Sequence, residues 1–389
     1  MTEDARRERA GDVAGNPLHE VRTVDAGGVR LAVYLSGPSD APPLILVHGY
    51  PDSARVWEPV RAHLQHHFRV IAYDVRGAGA SDAPRERSAY RLERLAADLL
   101  AVADATCGTR PFHLAAHDWG SIQCWEAVSD TRFAGRIASY TSISGPCLDH
   151  ASVALRGTAS AALTDTRAEN AAQARRERRG MPQFLKSWYI AFFHLPLLPE
   201  LVWRLGGARL WPLWLRLTER VRIERDPVQL RNALNGLALY RANFIDRLLH
   251  PQPRKAVAPV QCLVPLADRY VGAELSLGLE PWVGQYSRET IEAGHWVVLR
   301  DPARIAAGIE RFARQHGGDA ANVTGFAARA ELAAGRSSGV ASDVASGVTS
   351  GVASGVASDA ISGVKSGAGS DAASGSTPSR DQVRFQIPS

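Results

Sequence analysis

Lysine is almost missing from this chain. Only Lys186, Lys255 and Lys365 occur, against 42 arginines. Arginine in place of lysine throughout an alanine-rich chain reflects coding bias toward G and C. The net charge of +5 and pI near 9.2 therefore do not point to a nucleic-acid partner. Cysteine is as scarce. Cys107, Cys124, Cys147 and Cys262 are too few for a disulfide scaffold, and none forms a Cys-x-x-Cys pair, so neither a zinc ribbon nor a thioredoxin-type site is indicated. Free thiols in a reducing, cytoplasmic compartment are the expectation. Long hydrophobic runs are absent too. The stretch from Phe184 to Leu217 is broken by Pro196, Pro199, Gly206, Gly207 and Pro212 and by several arginines. It falls short of the ~20 uninterrupted apolar residues of a spanning helix, and leaves only peripheral membrane contact open. Met1 to Asn16 is charged with no apolar stretch, so no secretory signal is expected. Aromatics are missing from the end of the chain. None occurs between Ala327 and Arg384, and serine recurs every fourth residue from Ser338 to Ser374. That composition cannot build a core, and disorder is the expectation there.

What remains is a body of roughly 300 residues, enough to bury an active site. Its pattern alternates between strand and helix. Val21–Val24 and Val29–Leu35 around Gly27-Gly28 predict a hairpin. Short apolar strands follow at Leu44–Val47, Arg69–Tyr73, Phe112–His117 and Ile137–Ile143. Helices are predicted from a Ser53 N-cap to about His66, over Tyr90–Ala105 and over Gly120–Val128. From Leu148 to about Ala256 the pattern is only helical. Alternation resumes at Val260–Leu266 and Thr290–Ile291, then a helix from about Pro302 to His316. The expected class is α/β, a doubly wound and mostly parallel sheet with an inserted helical cap. The expected division is a flexible N-terminus (1–17), a first core part (18–147), the cap (148–256), a second core part (257–316) and a low-complexity tail (317–389).

In such sheets ligands bind beyond the carboxyl ends of the strands. Those ends carry His48-Gly49-Tyr50-Pro51, Asp74 to Gly79, His117-Asp118-Trp119-Gly120, Ala267-Asp268-Arg269-Tyr270 and Gly294-His295-Trp296. Taken singly these are weak signals, since a strand-end Asp more often caps a helix. The turn Ala116-His117-Asp118-Trp119-Gly120 is more specific. It reads small-x-nucleophile-x-small, the spacing of a strained strand-to-helix turn that projects its central side chain above the sheet. The chain order Asp118, Asp268, His295 is nucleophile, acid, histidine.

This constellation resembles the α/β-hydrolase family over about residues 18 to 316. The resemblance implies Asp118 as nucleophile, His295 as base, Asp268 as its orienting acid, and the backbone N–H groups of Tyr50 and Trp119 as oxyanion hole. His48, Gly49, Pro51, His117 and Trp296 would support the pocket. An Asp nucleophile disfavours a serine esterase; the only Gly-x-Ser-x-Gly, from Gly335, follows no strand. Family members with an Asp nucleophile are chiefly epoxide hydrolases and haloalkane or haloacid dehalogenases. The dehalogenases share Trp119, but usually carry Asn where Tyr50 stands. Epoxide hydrolases protonate the opened ring with two cap tyrosines. Trp188-Tyr189-Ile190 through Pro196 and Tyr240-Arg241-Ala242-Asn243 resemble the segments that bear them. The implied activity is opening of an apolar epoxide to a vicinal diol, with dehalogenation as the alternative and a hydrolase-fold ligand-binding protein as the non-enzymatic one. The segments around Leu114–Ser121, Ser139–Pro146 and Asp149-His150 further resemble the hydrolase half of actinobacterial proteins that fuse an epoxide hydrolase to a short-chain dehydrogenase. No nicotinamide-binding half is expected here. The implied partners are a small apolar epoxide and water, with no cofactor, no metal and no nucleic acid, in a monomer or homodimer. His63 and His67, four apart on a helix, read as a solvent face rather than a metal pair, and the cluster Arg175, Arg176, Arg178 and Arg179 as a solvated helix end.

Overall fold

The computed structural model describes residues 20–156, 173, 177 and 186–317. The predicted N-terminal segment, the arginine cluster at 175–179 apart from Glu177, and the serine-repeat tail lie outside these residues.

Eight strands form one sheet: β1 (Glu20–Asp25), β2 (Arg30–Ser36), β3 (Pro43–Val47), β4 (Arg69–Tyr73), β5 (Phe112–His117), β6 (Ile137–Ile143), β7 (Val260–Pro265) and β8 (Tyr286–Ile291). Their spatial order is β1-β2-β4-β3-β5-β6-β7-β8. The hairpin β1–β2 and the pair β2–β4 are antiparallel, and all other pairs are parallel. Every residue of β3, β5, β6 and β7 is buried. Both faces of a parallel sheet must be covered, which is why these strands are dominated by apolar and small residues, with His113, His117 and Gln261 as buried exceptions. Alternate residues feed two cores: Ile45, Val47, Leu114 and Ala116 on one face, Leu44, Leu46, Ala115 and Ile143 on the other.

Helices α1 (Glu58–Leu64), α2 (Leu92–Cys107) and α3 (Trp119–Val128) follow the early strands. Ser53 makes no capping bond; the Ala54 N–H donates instead to the Asp74 carboxylate at 2.8 Å. The chain after Ser53 is a 3-10 turn, Ala54–Trp57, before α1 begins. Asp74 also accepts from Tyr34 Oη at 2.9 Å and the Ala80 N–H at 2.8 Å, so this strand-end aspartate is used up in holding loops. Strand β8 is longer than its short apolar signal. It is the sheet edge, and Ser287, Arg288 and Glu289 leave no apolar run to read.

Between β6 and β7 the described chain is helical: α4 (Leu148–Arg156), α5 (Trp188–His194), α6 (Leu198–Val202), α7 (Ala208–Thr218) and α8 (Gln229–Leu249). Short α9 (Val297–Arg300) and α10 (Pro302–Gln315) close the fold. The inserted helices are tied to the core by polar contacts. Arg247 on α8 pairs with Glu126 at 3.1 Å and Asp149 at 3.2 Å, all three buried. Asn243 accepts from the Leu92 N–H at 3.0 Å and donates to Tyr90 O at 2.8 Å. All four cysteines are buried free thiols.

Candidate active site

Strands β3 and β5 are neighbours whose outgoing connections run opposite ways, to β4 and to β6, and open a crevice at their carboxyl ends. Two turns meet there. The turn after β5 places Asp118 at φ 53°, ψ −125°, a left-handed conformation that costs a non-glycine residue about 1–3 kcal/mol. Asp118 is also the N-cap residue of α3, which therefore starts at Trp119, one residue earlier than expected. The small-residue requirement has a visible cause. A Cβ on Gly120 would collide with the carbonyl oxygens of Val47 and His48.

The turn after β3 brings the Tyr50 N–H to Asp118 Oδ2 at 2.7 Å. The Tyr50–Pro51 peptide is cis. His48 braces this turn: its Nε2 accepts from the Val75 N–H and its Nδ1 donates to Gly49 O, each at 2.9 Å. Burial pushes the His48 imidazole down and keeps it neutral. Pro51 O accepts from Gln229 of α8 at 2.8 Å.

His295 Nε2 stands 3.5 Å from Asp118 Oδ1, and its Nδ1 2.8 Å from Asp268 Oδ2. All three side chains are buried or nearly so. Burial alone would neutralise the imidazole, but the carboxylates of Asp268 and Asp118 outweigh it and hold His295 well above the ordinary histidine range. Burial likewise opposes the charge on Asp268. The His295 cation and the N–H groups of Tyr270 (2.7 Å) and Val271 (2.9 Å) prevail, and its pKa lies below the usual carboxylate value. His117 sits beneath this pair. Its Nε2 donates to His295 O at 2.9 Å, and burial together with the neighbouring His295 pushes it down to about 4. Trp296 packs on the His295 ring, centroids 4.6 Å apart.

Above Asp118 lies a partly open cavity with a mostly apolar wall that includes Trp119, Ile122, Leu148, Tyr189, Phe244 and Tyr270. Tyr189 of α5 thus faces Asp118 across the cavity. Tyr240 of α8 is not on that wall; it is buried behind it, its ring 4.8 Å from Trp119 and 6.0 Å from Tyr189. Burial pushes both phenols well above 10, and the Asp118 carboxylate adds to the effect. Both therefore remain protonated donors at neutral pH.

Residues 42–301 match the alpha/beta hydrolase fold family. The chain belongs to that family. Relatives of this α/β hydrolase include "Probable oxidoreductase EphD" of Mycobacterium tuberculosis, 32% identical over 299 residues, which are 75% of this chain and 49% of that protein. The chain thus spans about half the length of that relative. "Epoxide hydrolase A" of the same organism is 32% identical over 254 residues, 64% of this chain and 68% of that one. Among solved structures, an epoxide hydrolase from Bacillus megaterium complexed with its diol product shares the fold at TM-score 0.61 and 19% identity, covering 75% of this chain and all of that one.

Three residues of this α/β hydrolase's site escaped the sequence reading. Asp52, directly after Pro51, accepts from Trp296 Nε1 at 2.9 Å, and burial raises its pKa to about 7. An acid adjoining the His48–Pro51 turn was the available signal. Glu219, buried at the end of α7, lies against the Gly294 backbone and within electrostatic reach of His295; burial raises its pKa. In sequence it sits in a charged run, Glu219 to Asp226, that reads as a solvated loop. Arg241, next to Tyr240, donates to Phe193 O at 2.8 Å and Leu195 O at 3.0 Å and pairs with Glu200 at 2.6 Å. It fastens the end of the Tyr189 helix to the Tyr240 helix.

Proposed function

We propose that this α/β hydrolase opens an apolar epoxide to a vicinal diol through an ester on Asp118. The observation that carries the reading is the carboxylate on the strained turn, with Oδ2 held by the Tyr50 amide and Oδ1 turned toward His295 Nε2. A carboxylate so placed suits displacement at saturated carbon rather than acyl transfer. The relatives named epoxide hydrolase support the same choice.

The epoxide lies in the cavity between Asp118 and Tyr189, with residues 148–256 as the cap. Tyr189, backed by Tyr240, donates to the epoxide oxygen. Asp118 Oδ1 attacks one ring carbon, the C–O bond breaks, and the oxygen takes a phenolic proton. Esterification removes the negative charge of Asp118. The imidazolium then loses one of the two carboxylates that sustained it and its pKa falls; its proton goes to the phenolate left by ring opening, which restores the tyrosine and leaves neutral His295 available as a base. Oriented by Asp268, it deprotonates a water that attacks the ester carbonyl carbon. The oxyanion forms at Oδ2, where the Tyr50 N–H is already aimed, and the Trp119 N–H is assigned as the second donor. Collapse releases the diol and regenerates the carboxylate.

The test is intact-mass analysis of His295→Gln incubated with an aryl or long-chain epoxide. A species heavier by the mass of the epoxide is expected, and none with Asp118→Asn. Faster halide release from a haloalkane than diol formation from any epoxide would favour dehalogenation. Tight binding with no adduct and no turnover would favour a ligand-binding protein.

A further inference from the structure

Helix α7 presents Leu210, Leu213, Trp214 and Leu217 at i, i+3, i+4, i+7 spacing, the stripe that normally faces a core. Here all four are exposed, Leu217 by 71%. The inward contacts are made instead by buried Leu215 and half-buried Trp211. Just upstream, Leu197 and Leu205 are 79% and 78% exposed. This is a contiguous stretch of chain with large apolar side chains in solvent, far from the scattered single residues a surface ordinarily shows.

Its charge has one sign. From Leu201 to Thr218 there is no acid, and Arg204, Arg209 and Arg216 are all exposed. The flanking acids are occupied elsewhere: Glu200 pairs with Arg241, and Glu219 is buried toward the His295 loop. The stretch also borders the candidate site. Trp214 Nε1 approaches Tyr270 Oη at 3.4 Å, and Tyr270 lines the cavity and packs 5.5 Å from Tyr189 and 5.0 Å from His295.

We propose that the α6–α7 face docks on an anionic lipid surface. Leucine and tryptophan side chains enter the boundary between headgroups and acyl chains, and the arginines meet the lipid phosphates. Charge complementarity selects this occupant over a second copy of the chain. A two-fold contact through this face would set its arginines against the same arginines with no acid to pair them. Among the described residues no helix is long and apolar enough to cross a membrane, so the contact is interfacial. The docked face would present the edge of the cavity to the bilayer, and a substrate carried in lipid could pass Trp214 and Tyr270 without crossing water. Docking itself does not depend on which bond the site cleaves.

The test is cosedimentation of the full chain with vesicles of phosphatidylcholine alone or with about one third phosphatidylglycerol, with Trp fluorescence as second readout. Expected are binding to the anionic vesicles, a blue shift, and at least about tenfold weaker binding for Leu210→Ser/Leu213→Ser/Leu217→Ser, for Arg204→Gln/Arg209→Gln/Arg216→Gln, and at high salt. Turnover of a water-soluble substrate should stay within about twofold, since exposed side chains away from packing contribute little to stability. No binding at low salt, or equal binding by both variants, would overturn the proposal. So would a concentration-dependent dimer that the leucine variant dissolves, which would give the face to a second copy.

Discussion

Gly49 and Asp118 approach so closely that no side chain fits between them. A Cβ on Gly49 would collide with Oδ2, lie 2.6 Å from the Asp118 Cβ, and lie 2.7 Å from the Trp119 nitrogen. The missing side chain is what lets the Tyr50 amide reach the carboxylate at 2.7 Å. Gly49→Ala is expected to separate the two turns and lower turnover by ~10²–10³-fold, as loss of an oxyanion donor does. Steady-state kinetics alongside an unchanged far-UV CD spectrum would check it. Turnover near that of the unaltered protein would remove the Tyr50 amide from the proposed role.

Asp118 also sets the charge state of His295. Two carboxylates raise this imidazole against the effect of burial, and Asp118 is one of them. Asp118→Asn should leave the Asp268 contact in place and lower the His295 pKa, so the ring loses its proton at a lower pH than before. NMR titration of the imidazole measures this directly. The same sign would govern the proposed ester intermediate, which also lacks the Asp118 charge. The hydrolysis half-reaction should therefore be fastest above the lowered pKa and slow as pH falls through it. An unchanged titration in Asp118→Asn would separate the two residues electrostatically and undo the proposed release of the base.

Much of this site could be read in the chain because its residues are local. Asp118 is flanked by the small residues its turn demands, Asp268 follows a strand marked by its apolar residues, and His295 follows the short Thr290-Ile291 signal and a Gly-His turn. The helical interruption between β6 and β7 was legible as a break in the alternation of strands and helices. Arg241 and Glu219 were not, because each acts on a partner distant in sequence: Arg241 on carbonyls some 46 residues back, Glu219 on a loop some 75 residues ahead. Ser53 misled for a related reason. The Val56 N–H, which its side chain would cap, bonds the Ser53 carbonyl instead, in a 3-10 turn whose first amide, Ala54, is held by Asp74 brought there by the sheet. The exposed stripe of α7 reads as an ordinary amphipathic helix. Periodicity shows that a stripe exists but not which side the core is on.

In the proposed reaction the two phenols belong to one step only. They are expected to act in ring opening and to be idle in ester hydrolysis. Tyr189→Phe with Tyr240→Phe should slow formation of the covalent species by ~10²–10⁴-fold, the range for loss of a general acid, and leave breakdown of that species unchanged. Because burial holds both phenols above 10, ring opening should not fall off through tyrosine ionisation between about pH 6 and 9. Rapid-quench kinetics with mass detection separates the steps. Slower breakdown with normal formation would reverse the assignment.

Tyr189 and Tyr240 come from different helices, so their separation depends on what joins those helices. Arg241 supplies that joint through two carbonyls at the end of α5 and an ion pair with Glu200. Its partial exposure keeps the expected stability loss small, about 1 kcal/mol. The expected effect on catalysis is larger, because a displacement of ~1 Å in a reacting group costs up to ~10²-fold. Arg241→Met should therefore slow ring opening and raise KM with only a slight fall in Tm, and leave ester hydrolysis by His295 untouched. Lysine at the same position restores charge but not the fork that reaches both carbonyls and Glu200, so Arg241→Lys should recover stability more than rate. Full recovery of rate by lysine would mean that charge alone fixes the helices, and a fall in Tm with no change in ring opening would reduce Arg241 to a stabilising contact.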